Sequence, residues 1–205
     1  MPPTGIEVFA DVVCPFAHVS LRRLFAARAD LGAEDQPIRV RAWPLELVNG
    51  EPLDPAHVAA EIGDLRAQVA GDLFGGFTTD AFPVSSIRAL GLTTTAYDRG
   101  AGVGEAVNLA VRDALFEQGR AIDDPDLLAS VAAEHGIELP GEDEARERVE
   151  ADLAEGQDRG VVGSPHFFVG EASFFCPALE IERRGEHLHI AVDTAGFDEF
   201  LGRAF

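Results

Sequence analysis

Residues 11–18 read Asp11-Val12-Val13-Cys14-Pro15-Phe16-Ala17-His18, and the reading of this stretch decides the fold. Before it, residues 5–10 (GIEVFA) are apolar, short and bounded by turn formers, the pattern of a buried strand. After it, Val19, Leu21, Leu24 and Phe25 recur at helical spacing. Pro15 suits the first helical position, where its missing N–H would have no partner in any case. Cys14 therefore stands where a strand ends and a helix begins. Residues 38–42 (IRVRA) alternate as a second strand does, so the first forty residues form a βαβ unit with a parallel pair.

Past Trp43-Pro44 the character changes. Residues 55–69, 84–97, 104–118, 125–135 and 142–159 read as helices, and Asp124-Pro125 is a cap followed by proline at the first turn. Strand patterns return at 166–169, at 173–176, around Ile181 and at 189–192, and residues 197–205 close the chain as a short helix. Strands at both ends with helices between predict one mixed α/β sheet interrupted by an all-helical lobe. Residues 1–50 and 160–205 then make up the sheet domain, and residues 51–159 the insertion.

Composition bounds the function. With 205 residues and 46% hydrophobic content, the chain supports a well-buried core. A net charge of −20, with all 16 basic residues arginine, repels phosphate backbones and argues against a nucleic-acid partner. No apolar run approaches the ~20 residues that cross a bilayer. No basic segment followed by an apolar core opens the sequence, so a cytoplasmic location is expected. In that compartment the two cysteines, Cys14 and Cys176, have no structural reason to be oxidised. A lone cysteine is ordinarily a small buried hydrophobe, and Cys14 departs from that by its position. First-turn amides point at the sulfur, and helix-end effects of up to ~2 kcal/mol would bring a thiol pKa from about 8.5 to about 7.

Cys176 is the second candidate. A hairpin turned at Gly170-Glu171 pairs residues whose numbers sum to about 341, which sets Cys176 opposite Pro165 at the Cys14 end of the sheet. A one-residue shift would send it to the other face, and a plain buried cysteine at a strand end is an equal reading. His18 lies four residues after Cys14 on the same helix face, as a polar residue at the mouth of the site. Cys14, His18, His166 and Cys176 have the right ligand types for zinc, but the spacing lacks a zinc-finger signature and no metal is expected. Phe74-Gly75-Gly76-Phe77 reads as an interhelical turn, and residues 100–104 (GAGVG) follow no strand and so form no phosphate loop.

A strand, then D-x-x-C-P-aromatic, then a helix resembles the active-site start of the DsbA-like thioredoxin-fold proteins. That family also includes kappa-class glutathione transferases, 2-hydroxychromene-2-carboxylate isomerases and actinobacterial cytosolic oxidoreductases that use mycothiol. Residues 43–47 (WPLEL), 116–126 (FEQGRAIDDPD) and 160–168 (GVVGSPHFF) fit the resemblance in the right order. It implies a thioredoxin fold, a cis Ser164–Pro165 bond packed against Cys14, and a Ser164 backbone that offers N–H and C=O to an extended thiol peptide. The implied activity is thiol oxidoreduction on a small-molecule substrate. A low-molecular-weight thiol, mycothiol or glutathione, would be co-substrate, with no tightly bound cofactor. Catalysis would fall to Cys14 and Cys176, and binding to Pro15, Phe16, His18, Ser164, Pro165 and His166. A homodimer is compatible with this reading. Residues 174–179 (FFCPAL) resemble the mycothiol-using branch, which more often has a small residue at the Cys176 place. Redox members carry C-x-x-C, and here the second cysteine is Ala17. The departure keeps two rivals open: a non-catalytic binding protein, and a transferase- or isomerase-like enzyme whose residue only holds the cofactor thiolate.

Overall fold

The computed structural model describes residues 5–185 and 187–205. Strand β1 (Ile6–Ala10) leads into helix α1 (Pro15–Asp30) and strand β2 (Ile38–Ala42). The lobe follows as α2 (Leu45–Asn49), α3 (Pro55–Gln68), α4 (Ile87–Ala96), α5 (Ala101–Phe116), α6 (Pro125–Glu134) and α7 (Glu142–Asp158). The chain returns through β3 (His166–Val169), β4 (Ala172–Phe175), β5 (Leu179–Arg184) and β6 (His187–Val192) to α8 (Thr194–Ala204). The main sheet has the order β2-β1-β3-β4, with β1 parallel to β2 and antiparallel to β3, and β3 antiparallel to β4. This is the thioredoxin fold with a mixed sheet drawn from both chain ends.

Alternation along the strands separates two faces. Ile6, Val8 and Ala10 of β1 with Ile38, Val40 and Phe167 pack under α1 and α8, against Leu21, Leu24 and Phe200. Phe9 and Phe168 point the other way, toward Trp43 and Val161. There α7 lies on the sheet. A Cβ on Gly156 would come within 2.7 Å of the Trp43 ring, so only glycine permits that approach. Arg159 stacks 4.0 Å above Phe168 and pairs with Glu7, which also binds Arg41.

Three helices begin with proline, and two of them carry an aspartate cap: Asp54 accepts from the Ala56 amide and Asp124 from the Asp126 amide. In α1 the same place is held by Cys14, which makes no side-chain cap bond. The edge of β2 is closed from the lobe. The amides of Ile38, Val40 and Ala42 donate to Glu105, the Tyr97 hydroxyl and Asp152 at 2.9 Å each.

Packing cuts across the domain limits drawn from the sequence. Helix α7, placed with the insertion, lies on the sheet. The β5–β6 hairpin, placed with the sheet domain, forms a separate two-stranded sheet on α3. Asp64 accepts from the Leu188 amide, and Gln68 bonds the Leu188 carbonyl and the Ile190 amide. Helix α4 begins at Ile87 rather than residue 84, because Val84, Ser85 and Ser86 are spent on loop contacts to Asp123 and Glu46. Helix α5 begins at Ala101, so most of the GAGVG segment is its first turn, with Gly104 pressed on the Tyr97 ring. Among the described residues no helix is long and apolar enough to cross a membrane.

Glu105→Ala strips the acceptor from a buried Ile38 amide and the bidentate partner from Arg28. Urea unfolding should show a loss of about 1–3 kcal/mol. The exposed pair broken by Glu199→Ala serves as control and should change stability by less than about 0.5 kcal/mol.

Candidate functional site

Cys14 ends the β1–α1 connection, held by a bond from its own amide to the Asp11 carbonyl. Pro15 occupies the first helical position, and Phe16 is half-buried between the sheet core and the lobe core. The sulfur donates to the Ser164 carbonyl at 3.2 Å, and the Ala17 amide of the first turn favours an anion there. The Ser164–Pro165 bond is cis. The Ser164 hydroxyl accepts from the Asp11 amide, tying the two loops together across 153 residues of sequence.

Exposure decides the charge state. Cys14 is 3% exposed. Burial pushes its thiol up to about 11, although the Ser164 side chain, the Ala17 amide and Arg112 all pull the other way. The Ser164 carbonyl, which accepts from the S–H, favours the protonated form. The activated thiolate expected from the helix terminus is therefore not the state of the buried site. A helix end contributes ~2 kcal/mol at best, whereas removing a small anion from water costs several.

Asp11 is also fully buried. One carboxylate oxygen accepts from the Val13 amide, and the other from the Leu45 amide at 2.7 Å and the Ser86 hydroxyl. Burial raises its pKa to about 6 against those bonds. Beside Asp11 and Val13 the open space is about 10 Å³, room for roughly one water.

His18 is not at the mouth of the site. Its ring is 0% exposed, packed on Phe74 and Phe116, with Nε2 at 2.8 Å from Glu117. Burial lowers its pKa to about 4 despite the carboxylate, so the ring is neutral at physiological pH. Glu117 also accepts from the Phe74 and Gly75 amides, which makes the glycine-aromatic segment a packed turn. His166 faces away from Cys14. It stacks on Phe168 on the α7 side, accepts from the Val162 amide through Nδ1, and bonds Ser173 through Nε2. The four cysteine and histidine side chains thus do not converge, and no cluster fit for a metal occurs among the described residues.

The β3–β4 register pairs His166 with Phe175 and Val169 with Ala172, and the Cys176 amide donates to the Pro165 carbonyl at 3.1 Å. Cys176 itself has left the strand: its φ of 46° lies in the left-handed region, uncommon outside glycine. Its sulfur is buried beside the Ser20 hydroxyl at 3.9 Å, and burial lifts its pKa to about 12. Both cysteines are free thiols.

Sequence reasoning missed Arg112 and the role of Asp11. Arg112 is wholly buried on α5, and its charge acts on Cys14, Asp11, His18 and Tyr97. The available signal was the polar row Glu105, Asn108, Arg112 on a helix otherwise rich in Ala, Val and Leu.

Comparison with known proteins bears on this geometry. Among solved structures, 2-hydroxychromene-2-carboxylate isomerase is 20% identical over 83% of this chain and 87% of its own, with a TM-score of 0.60. The cytosolic disulfide reductase DsbM from Pseudomonas aeruginosa is 19% identical over 97% of each chain, with a TM-score of 0.55. At such identities the likeness shows the fold alone. A search of curated proteins gives no match. A model of the DSBA-like thioredoxin domain matches residues 5–188. The chain belongs to the DSBA-like thioredoxin domain family, whose members are thiol oxidoreductases or isomerases.

Proposed function

We propose that the chain is a cytoplasmic thiol-dependent oxidoreductase that works through the single nucleophile Cys14, with mycothiol or glutathione as co-substrate and a small molecule as substrate. The observation that carries this reading is the Cys14 sulfur at the start of α1, 3.2 Å from the carbonyl of Ser164 in its cis bond to Pro165. The structure of DsbM with GSH supports glutathione chemistry on this fold.

Cys14, as thiolate, attacks one sulfur of a disulfide R–S–S–R′. A bond forms between Cys14 and the R sulfur, the S–S bond breaks, and R′–S⁻ leaves and takes up a proton. With Ala17 in the resolving place, a second small thiolate attacks the R sulfur and returns Cys14 as thiolate, carrying R away in a new disulfide. Cys176 is the internal alternative: it would displace R as a thiolate and leave a Cys14–Cys176 disulfide for external reduction. The Ser164 backbone would hold the thiol peptide in an extended form.

One observation favours a different reading. A thiol 3% exposed and neutral at physiological pH suits a thioredoxin-fold protein that binds without reacting. Treatment of the folded protein with glutathione disulfide, followed by mass mapping, separates the two. An adduct on Cys14, absent in Cys14→Ser, supports the oxidoreductase. Cys176→Ser should leave that first attack intact and slow its resolution. No adduct at any pH at which the protein stays folded would make the chain a binding protein.

The pH dependence follows from the raised pKa. The thiolate fraction, and with it the rate of Cys14 alkylation, should rise about tenfold per pH unit toward about 11. An exposed thiol would level off above about 8.5. Stability runs the opposite way. The native state keeps protons that unfolded cysteines have lost, so stability present below about pH 8.5 drains away as the pH climbs toward 11. Thermal melts should show that loss, and Cys14→Ala with Cys176→Ala should blunt it.

A further inference from the structure

Glu105, Asn108 and Arg112 form one row along α5, at i, i+3 and i+7. Glu105 is pinned at the start of β2 through the Ile38 amide. Arg112 lies about 10 Å further along the helix, and β2 runs about 13 Å from Ile38 to Ala42. The row thus leads from the opening of β2 to the carboxyl end of the sheet, where β1 gives way to Asp11 and Cys14. There the Arg112 side chain is 0% exposed. Its Nε donates to Asn108 Oδ1 at 2.9 Å, while Nη1 and Nη2 meet no acceptor among the described residues. The Asn108 amide nitrogen is likewise without a partner there. Asp11 does not satisfy the guanidinium, because its oxygens are taken by two amides and the Ser86 hydroxyl.

A buried cation with four donors unused requires an explanation, since native structures leave few such groups. The charged and titratable groups that act on Cys14 come from three directions. Arg112 on α5 favours an anion at the sulfur, and Glu61 on α3 opposes it. Cys176, after β4, couples to Cys14 and is itself neutral. Asp11 shares Arg112 with the sulfur, and His18 and Tyr97, which also lie in the field of Arg112, are neutral.

We infer that Arg112 is a positioning residue for the charge of Cys14: its guanidinium, held by Asn108 in the buried seam between α5 and the sheet, is the counter-cation for the sulfur when Cys14 gives up its proton. The inference rests on Cys14 as the working nucleophile. Arg112 touches no substrate. It lowers the cost of negative charge at the sulfur, both in the free thiolate and while that charge spreads over the three sulfurs of an exchanging disulfide. Asp11 competes for the same cation, so the two residues should move Cys14 in opposite directions.

The test uses the full chain carrying Cys176→Ser, so that Cys14 alone titrates. Its ionisation is followed by ultraviolet thiolate absorbance and by alkylation rate against pH, with circular dichroism to confirm folding. Arg112→Met should shift the Cys14 midpoint upward and slow alkylation at pH 8 about tenfold. Arg112→Lys should retain most of the wild-type profile. Asp11→Asn should shift the midpoint downward and quicken alkylation. A folded Arg112→Met protein with an unchanged profile overturns the inference. If that variant does not fold, Asn108→Ala, which removes the anchor of the guanidinium without changing any charge, decides instead: a shifted midpoint supports the assignment and an unchanged one overturns it. Failure of the oxidoreductase reading is a separate result, namely no glutathione adduct on wild-type Cys14 while the Arg112 dependence of the midpoint persists.

Discussion

An edge strand ordinarily presents a row of backbone donors to any strand that passes. In β2 that row is closed by side chains from the inserted lobe, with Glu105, Tyr97 and Asp152 each taking one amide. These three bonds fix α5, the end of α4 and α7 against one strand, and the geometry of the site follows. With the lobe held there, Ser86 reaches Asp11, Gly156 meets Trp43, and Arg112 comes to the carboxyl end of β1. The same device recurs on β6, where Asp64 and Gln68 of α3 satisfy the strand's outer backbone groups. The lobe is therefore part of the sheet's own hydrogen-bond accounting, and limits at residues 51 and 159 follow the chain rather than the packing.

Around Cys14 two physical effects compete, and magnitude decides between them. The helix terminus and the Ala17 amide favour a thiolate, as the position of Cys14 before Pro15 suggests. Burial opposes them and prevails. Position along a helix is local and can be read from four residues. Exposure is set by Ser164, the lobe and the β4 hairpin, all far away in sequence. The same asymmetry governs His18. Its spacing from Cys14 is correct on the helix, yet the side chain is drawn to Phe74, Phe116 and Glu117, which only tertiary packing brings near.

Much of the fold was legible because local periodicity reports it. The hairpin sum of 341 is the register observed from His166–Phe175 to Val169–Ala172. The facing of Cys176 was not legible. Strand alternation would have assigned it a side, but the residue turns into the left-handed region before Pro177 and escapes the alternation. His166 misled for the opposite reason. It follows Pro165 directly, and alternation then sends Phe167 toward α1 and His166 toward Phe168 and α7. Arg112 was hidden because a charged residue on a helix is ordinarily solvated, and its burial depends on α5 being covered on the side that faces the sheet.

Asp11, Cys14 and Arg112 make a set in which burial pushes every member toward its neutral form: the acid up to about 6, the thiol up to about 11, the guanidinium down to about 10. At neutral pH the acid and the guanidinium remain charged and offset each other, and the thiol holds its proton. Ionising Cys14 then adds a net negative charge to a buried site. That charge is tolerable in passing, because attack on a disulfide hands it to the leaving sulfur as the new bond forms. A thiolate of high pKa is also the stronger nucleophile, with a Brønsted slope of about 0.4–0.5, so roughly half of the logarithmic loss in thiolate population returns as reactivity. Oxidation of a resting thiol follows its thiolate character and its exposure, and Cys14 has little of either. The burial that slows its first step is thus also what keeps the sulfur reduced between encounters.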